Sequence, residues 1–295
     1  MVWYARSRGT AVLKWCGVVS AAFLVMAAAG PAPSWTISAV PAAQAPNGML
    51  VAESCPAPGT CMAVGSSHGP AGRSMTLAEL WDGSAWKTLP TPNPSDGRGS
   101  VLTAVSCKST SACTAVGSYR NGEGTAATLT EFWNGTAWRI QPSPDPAGSF
   151  GSYLTGVSCA AAACTAVGYY QNQSYQDNPV AIAESWNGTV WTLHPVPVAG
   201  AVQSQLDAVS CTGPAACVAT GSYDSSTGNQ HVPLAEAWNG TAWTVQPAPN
   251  PPHAQVSGFS GVSCTGGGAC TAVGNAGPLV GLFGVDVPLA EQRPA

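Results

Sequence analysis

The sequence predicts an all-β protein built from repeated four-stranded units, and three observations lead to this prediction. The tripeptide Val-Ser-Cys, or its variant Glu-Ser-Cys, places cysteines at positions 55, 107, 159, 211 and 264, a period of about 52 residues. A second stretch, Trp-(Asn/Asp)-Gly-(Thr/Ser)-x-Trp, recurs four times with the same period, first at residues 81–86. Only 8% of the residues are charged, whereas there are 34 Gly, 25 Pro and 11 Trp. Together with regular runs of β-prone residues, this composition favours a turn-rich β fold over disorder.

Each repeat contains four segments with the length and composition of β-strands. In the second repeat these segments are residues 102–107, 113–119, 128–133 and 136–141. A polar, glycine-rich loop at 120–124 separates the second segment from the third. Alternating prolines at 142–146 donate no ladder hydrogen bonds and favour an extended chain, so this stretch should connect one unit to the next.

The Asn134-Gly135 dipeptide between two β-prone flanks predicts a hairpin with a two-residue type I′ turn. Such a turn would place Trp133 opposite Thr136 and Glu131 opposite Trp138. Side chains alternate along a strand, so the glutamate and both tryptophans should share one face. That face is too apolar to remain in water and should pack against a neighbouring unit.

A period near fifty residues with four short strands per unit is typical of a β-propeller blade, and the fold class expected here is a five-bladed β-propeller. The repeats fall near residues 35–86, 87–138, 139–191, 192–243 and 244–295. The last repeat stops at Leu289-Ala290-Glu291, without its hairpin partner, whereas Trp35-Thr36-Ile37 resembles Trp243-Thr244-Val245. We therefore expect residues 35–40 to complete the last blade, so that strands from both chain ends close the ring.

The N-terminus has the pattern of an export signal, expected at residues 1–29, with the propeller at 30–295. Arg6, Arg8 and Lys14 precede an apolar run that ends near the small residues Ala27 and Ala29. The run is shorter than the roughly 20 residues of a membrane-spanning helix. The sequence thus predicts a secreted, extracellular protein without stable membrane association after cleavage. Cleavage after Ala45 and retention of the apolar run as an anchor remain as alternatives.

Ten of the 11 cysteines fall into five closely spaced pairs. Zinc sites generally need two such pairs converging on one ion, whereas a ring would keep these pairs apart. Because an exported chain meets an oxidising environment, the pairs predict disulfides across the first hairpin of each blade. The expected bonds are Cys55-Cys61, Cys107-Cys113, Cys159-Cys164, Cys211-Cys217 and Cys264-Cys270, and no metal or other cofactor is expected.

The charge distribution argues against nucleic acid as a partner. The formal net charge is −4, with ten Lys and Arg in 295 residues and no basic stripe along the chain. We expect a monomer whose partner is an unknown glycan or protein.

The repeat order Leu-x-x-Val-Ser-Cys, Ala-Val-Gly-x-Tyr, Leu-x-Glu-x-Trp resembles a kelch-type propeller repeat over residues 35–295. It differs in having a single glycine, such as Gly117, where kelch repeats carry a pair, and in its cysteine pairs and close tryptophans. The chain is also similar to secreted actinobacterial repeat proteins of unassigned function. These resemblances imply a propeller fold and bring no active site with them.

Ligand binding is expected on the loops between second and third strands, which vary most between repeats: 66–75, 120–125, 171–178 and 224–232. Loops on a rigid scaffold commonly carry function. The aromatic side chains in and beside these loops suit polar or glycan ligands: Tyr119, Tyr169, Tyr170, Tyr175 and Tyr223.

An alternative interpretation is a glycoside hydrolase-like enzyme with acids in the central channel. Glu53 and Asp207 lie in first strands and have no counterparts in the other repeats, and glycoside hydrolysis uses a pair of carboxyl groups. No third acid accompanies them, and we prefer the binding module. The recurring glutamates could be equal ligand sites, but repetition favours structural carboxylates that accept hydrogen bonds from a neighbouring blade's indole or backbone N–H: Glu79, Glu131, Glu184, Glu236 and Glu291.

Overall fold

The computed structural model describes residues 38–40, 47–69, 72–172, 178–198, 201–226, 230–278 and 287–294. Within these ranges the regular structure consists of nineteen β-strands and no α-helix. The all-β prediction is therefore confirmed for the described chain. The export signal, the strand expected at 35–40 apart from its last three residues, and Tyr175 lie outside the described residues.

The strands follow one another as repeated antiparallel meanders. The first strands are β1 (Met49–Ala57), β5 (Gly99–Ser109), β9 (Gly151–Ala160), β13 (Ala201–Gly213) and β17 (Val256–Cys264). The second strands are β2 (Thr60–His68), β6 (Ala112–Arg120), β10 (Ala163–Gln171), β14 (Ala216–Ser225) and β18 (Cys270–Gly277). The third strands are β3 (Ser74–Trp81), β7 (Ala126–Trp133), β11 (Pro179–Trp186), β15 (His231–Trp238) and β19 (Val287–Arg293). The fourth strands are β4 (Trp86–Leu89), β8 (Trp138–Gln141), β12 (Trp191–His194) and β16 (Trp243–Gln246).

Each strand pairs with the next within its unit, and the first strands of successive units lie side by side. Consecutive meanders arranged in this way form a β-propeller type of fold. Single parallel bridges, such as Ala126 with Gly151, join a third strand to the first strand of the next blade. In the described residues β19 pairs only with β18, so the last blade shows three strands where the preceding blades have four.

The hairpin between third and fourth strands differs from the predicted type I′ turn. Trp133 lies opposite Trp138, and Glu131 lies opposite Ile140, so the loop has four residues. The Asn134 side-chain oxygen accepts hydrogen bonds from the Thr136 and Ala137 amides, each at 2.9 Å. Because the side chain stabilises the turn, positive φ is needed only at the glycine that follows Asn134, where it is 92°. The prediction was wrong, and the observed register brings the two indoles together at a centroid distance of 5.9 Å.

Neighbouring blades are joined by apolar packing. The second blade's Trp133, Trp138 and Leu129 share one buried cluster with Met62 and Val64 of the first blade. Both indoles are almost fully buried, as the sequence predicts for the face that carries them. Burial of one such side chain contributes about 2 to 3 kcal/mol, so this seam is a major source of stability.

Hydrogen bonds from the Val-Ser-Cys motifs repeat along the same seams. The serine hydroxyl of one blade accepts a bond from the cysteine amide of the next at 2.9 to 3.0 Å, and the acceptors are Ser54, Ser106, Ser158 and Ser210. The fifth member of this series, Ser263, is exposed. The motif therefore serves two purposes, since its cysteine staples a hairpin and its serine joins two blades.

All five predicted disulfides are present, with Cα–Cα distances of 3.9 to 4.0 Å. Each bond links the end of a first strand to the start of the second strand, five or six residues further on. Closing so short a loop restricts the unfolded chain and stabilises each blade by about 2 kcal/mol in the chain-entropy model. Persistent disulfides are typical of extracellular proteins.

Candidate functional site

One rim of the propeller carries the ends of the second strands, the starts of the first and third strands, and the loops between second and third strands. Gly99, at the start of β5, pairs with Arg120, at the end of β6, and Arg120 in turn pairs with Ala126, at the start of β7. The same register places Gly151 opposite Gln171 in the third blade. The described ends of the loops predicted to bind ligand therefore lie on this rim, and residues 70–71, 173–177 and 227–229 of these loops lie outside the described residues.

The tyrosines predicted to contact ligand have two kinds of environment. Tyr119, Tyr170 and Tyr223 are half-buried, and each packs against one of the hydrophobic clusters between blades. Tyr169 stacks on Tyr153, its cross-strand neighbour, with ring centroids 5.1 Å apart and an interplanar angle of 28°. Each of these four predicted tyrosines thus uses part of its ring surface for packing, and this packing holds the rest of the ring rigid.

A cavity of about 340 Å³ opens on this rim where the first three blades meet, and we call it the rim cavity. Its wall contains two tyrosines, Tyr119 and Tyr153, and three arginines, Arg73, Arg98 and Arg120. Serine side chains and backbone complete the wall. Sequence reasoning identified Tyr119 but missed Tyr153 and the arginines, although the scarcity of basic residues was a usable signal.

Two local contacts shape the backbone at the rim cavity, one within the second blade and one between the first and second blades. The Arg98 amide donates to the Arg120 carbonyl at 2.7 Å and so extends the β5–β6 pairing by one bond. Gly99 lies beside Ser74 of β3, since a Cβ on Gly99 would stand 3.7 Å from the Ser74 carbonyl oxygen, an ordinary van der Waals distance. Arg73 and Arg98, the residues before Ser74 and Gly99, are therefore brought to the same part of the rim.

The Tyr119 hydroxyl is held in its neutral form. Burial raises its pKa, and the Asp96 and Asp145 carboxylates raise the pKa further because a phenolate near them would be repelled. The hydroxyl can therefore both donate and accept a hydrogen bond throughout the neutral pH range.

Four of the five repeated glutamates are not accessible ligand sites, whereas Glu291 is partly exposed. Glu79, Glu131, Glu184 and Glu236 are fully buried at the seams between blades. We expected indole or backbone N–H groups to donate to these carboxyls, but the donors that the structure shows are hydroxyl groups. A Thr88 hydroxyl donates to Glu79 at 2.8 Å.

The other hydrogen-bond partners of these carboxyls are few. A Ser143 hydroxyl from the preceding blade's connection donates to Glu184 at 2.7 Å. Among the described residues, the carboxyl oxygens of Glu131 and Glu236 have no hydrogen-bond partner. The Thr76 hydroxyl lies near Glu131 but donates within its own blade, to Thr91 Oγ1 at 2.9 Å.

Burial without compensating charge raises the pKa of these carboxyls and so favours their protonated form. Desolvation raises the pKa of Glu131 to about 8, of Glu184 to about 8 and of Glu236 to about 7. Burial also raises the pKa of Glu79, although the hydrogen bond that Thr88 donates to it acts in the opposite direction. A neutral carboxylic acid is much less costly to bury than a carboxylate. The stability of the blade seams should therefore depend on pH through these residues.

The two acids of the enzyme alternative lie in different blades and different environments. Glu53 is exposed on β1, opposite Ala63. Asp207 lies at a β-bulge in β13. Burial raises the pKa of its carboxyl, whereas the hydrogen bond from the Gln205 amide and the charge of the His231 ring lower it by less. Thr155 occupies the corresponding position in the third blade and donates to the Leu206 carbonyl of the next blade at 2.6 Å. Asp207 can donate in this way only when it is protonated.

Two other cavities, one larger than the rim cavity and one of similar volume, lie at the first and the last blades. One, of about 580 Å³, is lined by Met75 and Thr88 in the first blade, on the face that carries Glu79. The other, of about 360 Å³, lies beside β19 and is lined by Gln246 and Glu291. Both lie on faces that pack against a neighbour in the inner blades, so neither is the preferred ligand site.

In the described ranges no group of three or more His, Cys, Asp and Glu side chains is arranged to hold a metal ion. None of the residues that the structure describes forms a helix with the length and apolar character of a membrane span.

No protein-family model matches the chain, and no curated protein is similar to it. Among solved structures, YCF48 bound to D1 peptide is 13% identical, with a TM-score of 0.45 over 78% of this chain and 63% of its own. Sucrose-6-phosphate hydrolase from Lactobacillus gasseri is 10% identical, with a TM-score of 0.44 over 79% of this chain and 54% of its own. An α-L-arabinanase from Penicillium chrysogenum, complexed with arabinobiose, is 13% identical, with a TM-score of 0.43 over 79% of this chain and 71% of its own. This chain thus spans less than two thirds of the first two proteins, and with TM-scores below 0.5 none of the three contributes to the functional proposal.

Proposed function

We propose that the protein is a secreted β-propeller module that binds a saccharide in the rim cavity. The blades repeat one disulfide-bonded unit, whereas the rim cavity lies at one seam. This contrast is the observation that supports the function best. Tyr119 and Tyr153 supply apolar ring surface with a polar tip, which suits the mixed C–H and hydroxyl surface of a sugar. Disulfides in every blade favour an extracellular location.

The rigidity of the scaffold supports binding at this position. The backbone around the cavity is held by β-pairing and by the contact between Gly99 and Ser74. A cavity that is formed before the ligand arrives avoids part of the ordering cost of binding. Its volume of about 340 Å³ lies at the lower end of the range of about 300 to 1,000 Å³ for small-molecule sites.

The closed, five-bladed, kelch-like ring is part of the same proposal. In the third blade, the Trp191 indole N–H donates to Gln141 of the preceding blade at 3.1 Å. Gln246 corresponds to Gln141 at the last seam, where it lines the cavity of about 360 Å³ beside β19. We propose that Trp35 fills this cavity and that the strand expected at 35–40 pairs with β19 through the residues before Ser38, since Ser38, Ala39 and Val40 are exposed and form no strand.

Binding can be tested on a glycan array with the secreted chain, followed by titration of the strongest saccharide found. Tyr153→Ala should weaken that binding about tenfold, because it removes a stacking surface and a hydroxyl. Ile140→Ala, an exposed apolar side chain on β8 away from the rim cavity, should leave the affinity unchanged. A silent array, or equal effects of both variants, would count against saccharide binding in the rim cavity.

The second candidate function is glycoside hydrolysis by Glu53 and Asp207. The observation in its favour is the raised pKa of Asp207, since a carboxyl that stays protonated can act as a general acid. If this function is correct, the protein should release reducing ends from a polysaccharide panel, and Asp207→Asn should abolish the release. Activity that survives in the Glu53→Gln, Asp207→Asn double variant would exclude these residues.

A further inference from the structure

We propose that the ligand of the rim cavity is an acidic saccharide, whose carboxylate or phosphate group is bound by Arg98 and Arg120. This inference rests on the proposed saccharide-binding function and adds the chemical class of the ligand. Together with Arg73, these two arginines make three of the ten Lys and Arg residues of the whole chain, and all three line this one cavity.

The arginines have no carboxylate partners in the structure. Within the described residues the ion pairs are Lys87 with Asp82 and His231 with Asp224. No acidic side chain lines the rim cavity. The positive charge of the cavity wall is therefore not neutralised by direct pairing.

Two of the guanidinium groups converge on the same turn. The Arg120 Nη1 donates to the Gly124 carbonyl at 3.1 Å. The Arg98 Nη1 lies 4.0 Å from the point at which a Cβ on Gly124 would stand. Like charges held close together repel each other, and an anion between them would convert that repulsion into attraction. Guanidinium groups are suited to such an anion because they donate two parallel hydrogen bonds to an oxyanion.

Nearby acids restrict where the anion can lie. Asp96 and Asp145 are exposed and close enough to Tyr119 to raise the pKa of its hydroxyl. Glu123 is exposed in the turn before Gly124, where its amide donates to the Asn121 side chain. Asp96 lies beside the turn on which the arginines converge, since its Cβ is 3.9 Å from the point at which a Cβ on Gly122 would stand. An anionic group should therefore bind to the guanidinium groups from the side that does not face these carboxylates.

The rest of the wall favours a sugar over a bare anion. Tyr119 and Tyr153 add aromatic surface, and serine hydroxyls add neutral hydrogen-bonding groups. A free phosphate or sulfate ion would fill only part of the cavity and leave this surface without contacts. A saccharide that carries one acidic group uses both parts of the wall.

The test is calorimetric titration of the full chain with matched pairs of acidic and neutral sugars. Trigalacturonate and its methyl ester form the carboxylate pair, and glucose 6-phosphate and glucose form the phosphate pair. The acidic member of at least one pair should bind about tenfold or more tightly than its neutral partner, because a charge-assisted hydrogen bond is lost in the neutral form. The affinity should fall with added salt, and the pair that responds identifies the type of acidic group.

The variants assign the effect to the arginines. Arg98→Gln should weaken binding of the acidic sugar about tenfold, and Arg98→Lys should restore only part of the loss because it keeps the charge but not the paired hydrogen bonds. Arg139→Gln makes the same charge change on β8, away from the cavity, and should have no effect. Unchanged thermal melting of the Arg98 variants would show that they fold.

Three results would overturn the inference. They are equal affinity for acidic and neutral members of both pairs, equal effects of Arg98→Gln and Arg139→Gln, and binding of inorganic phosphate as tight as that of either sugar acid. If the glycan array shows neutral sugars binding in a Tyr153-dependent way, the proposed function stands and only the acidic class is wrong. If no saccharide binds at all, both proposals fail together.

Discussion

Deleting residues 30–45 should cause aggregation or a large fall in melting temperature, and Trp35→Ala should cost about 3 kcal/mol or more. The reason is that β19 pairs only with β18 among the described residues, which leaves an open strand edge. Unpaired edges template association with other chains. The corresponding indoles in complete blades, such as Trp138 and Trp191, are almost fully buried. Thermal unfolding and size-exclusion chromatography of the three proteins measure these effects.

A matched pair of serine variants provides the control for ring closure. Ser106→Ala removes a hydroxyl that accepts a bond from the Cys159 amide at 3.0 Å, and it should cost about 1 kcal/mol. Ser263 holds the same motif position in the last blade, and in a closed ring its acceptor would face the Cys55 amide. Ser263→Ala should then cost as much as Ser106→Ala. A cost near zero, or a truncated protein as stable as the parent, would contradict the five-bladed ring.

Raising the pH from 6 to 9 should destabilise the protein through its buried glutamates. The pKa of Glu131 in the folded protein is about 8, above the usual value of 4.5 for the unfolded chain. The native state therefore binds more protons than the unfolded state between these two values. The stabilisation is fully present below pH 4.5 and is lost as the pH rises to about 8. Between pH 6 and the folded pKa of about 8, the expected loss approaches about 1.4 kcal/mol per pH unit for Glu131, and likewise for Glu184, and it levels off above that pKa. Urea unfolding at several pH values measures it.

Replacing Glu131 by Gln isolates this effect. Glu131→Gln keeps the shape and cannot ionise, so it should unfold with a weaker pH dependence than the parent and be the more stable protein at pH 9. Glu123→Gln removes the same charge from an exposed loop and should leave the pH dependence unchanged. Parallel stability curves for the parent and Glu131→Gln would show that Glu131 is ionised in the folded protein at neutral pH.

Repetition in the sequence predicted most of the local structure. The Val-Ser-Cys period located the first hairpin of every blade, and the close cysteine spacing identified all five disulfides. The alternation of Glu131 and Trp133 identified the face that packs against a neighbour. These features depend on residues close together in the chain, or on a pattern that every blade repeats.

The hairpin register was predicted incorrectly because propensity rules consider the backbone of a turn and not its side chains. Asn134 stabilises a four-residue loop through its own carboxamide. The residue opposite Trp133 in the hairpin is therefore Trp138 and not Thr136. The partners of the buried glutamates also depended on tertiary structure. The Ser143 hydroxyl that reaches Glu184 comes from the preceding blade's connection, far away in the sequence.

The repeated blade, its disulfides and its buried tryptophan face could all be predicted from the amino-acid sequence, because each repeat carries the same local signals. The position of the candidate ligand site could not, because it depends on how the blades pack. Arg73, Arg98 and Arg120 occupy unrelated positions in their repeats and meet only because β3, β5 and β6 converge at one rim. A binding site depends on side chains that break the repeat, and their meeting point is set by how the blades pack against one another.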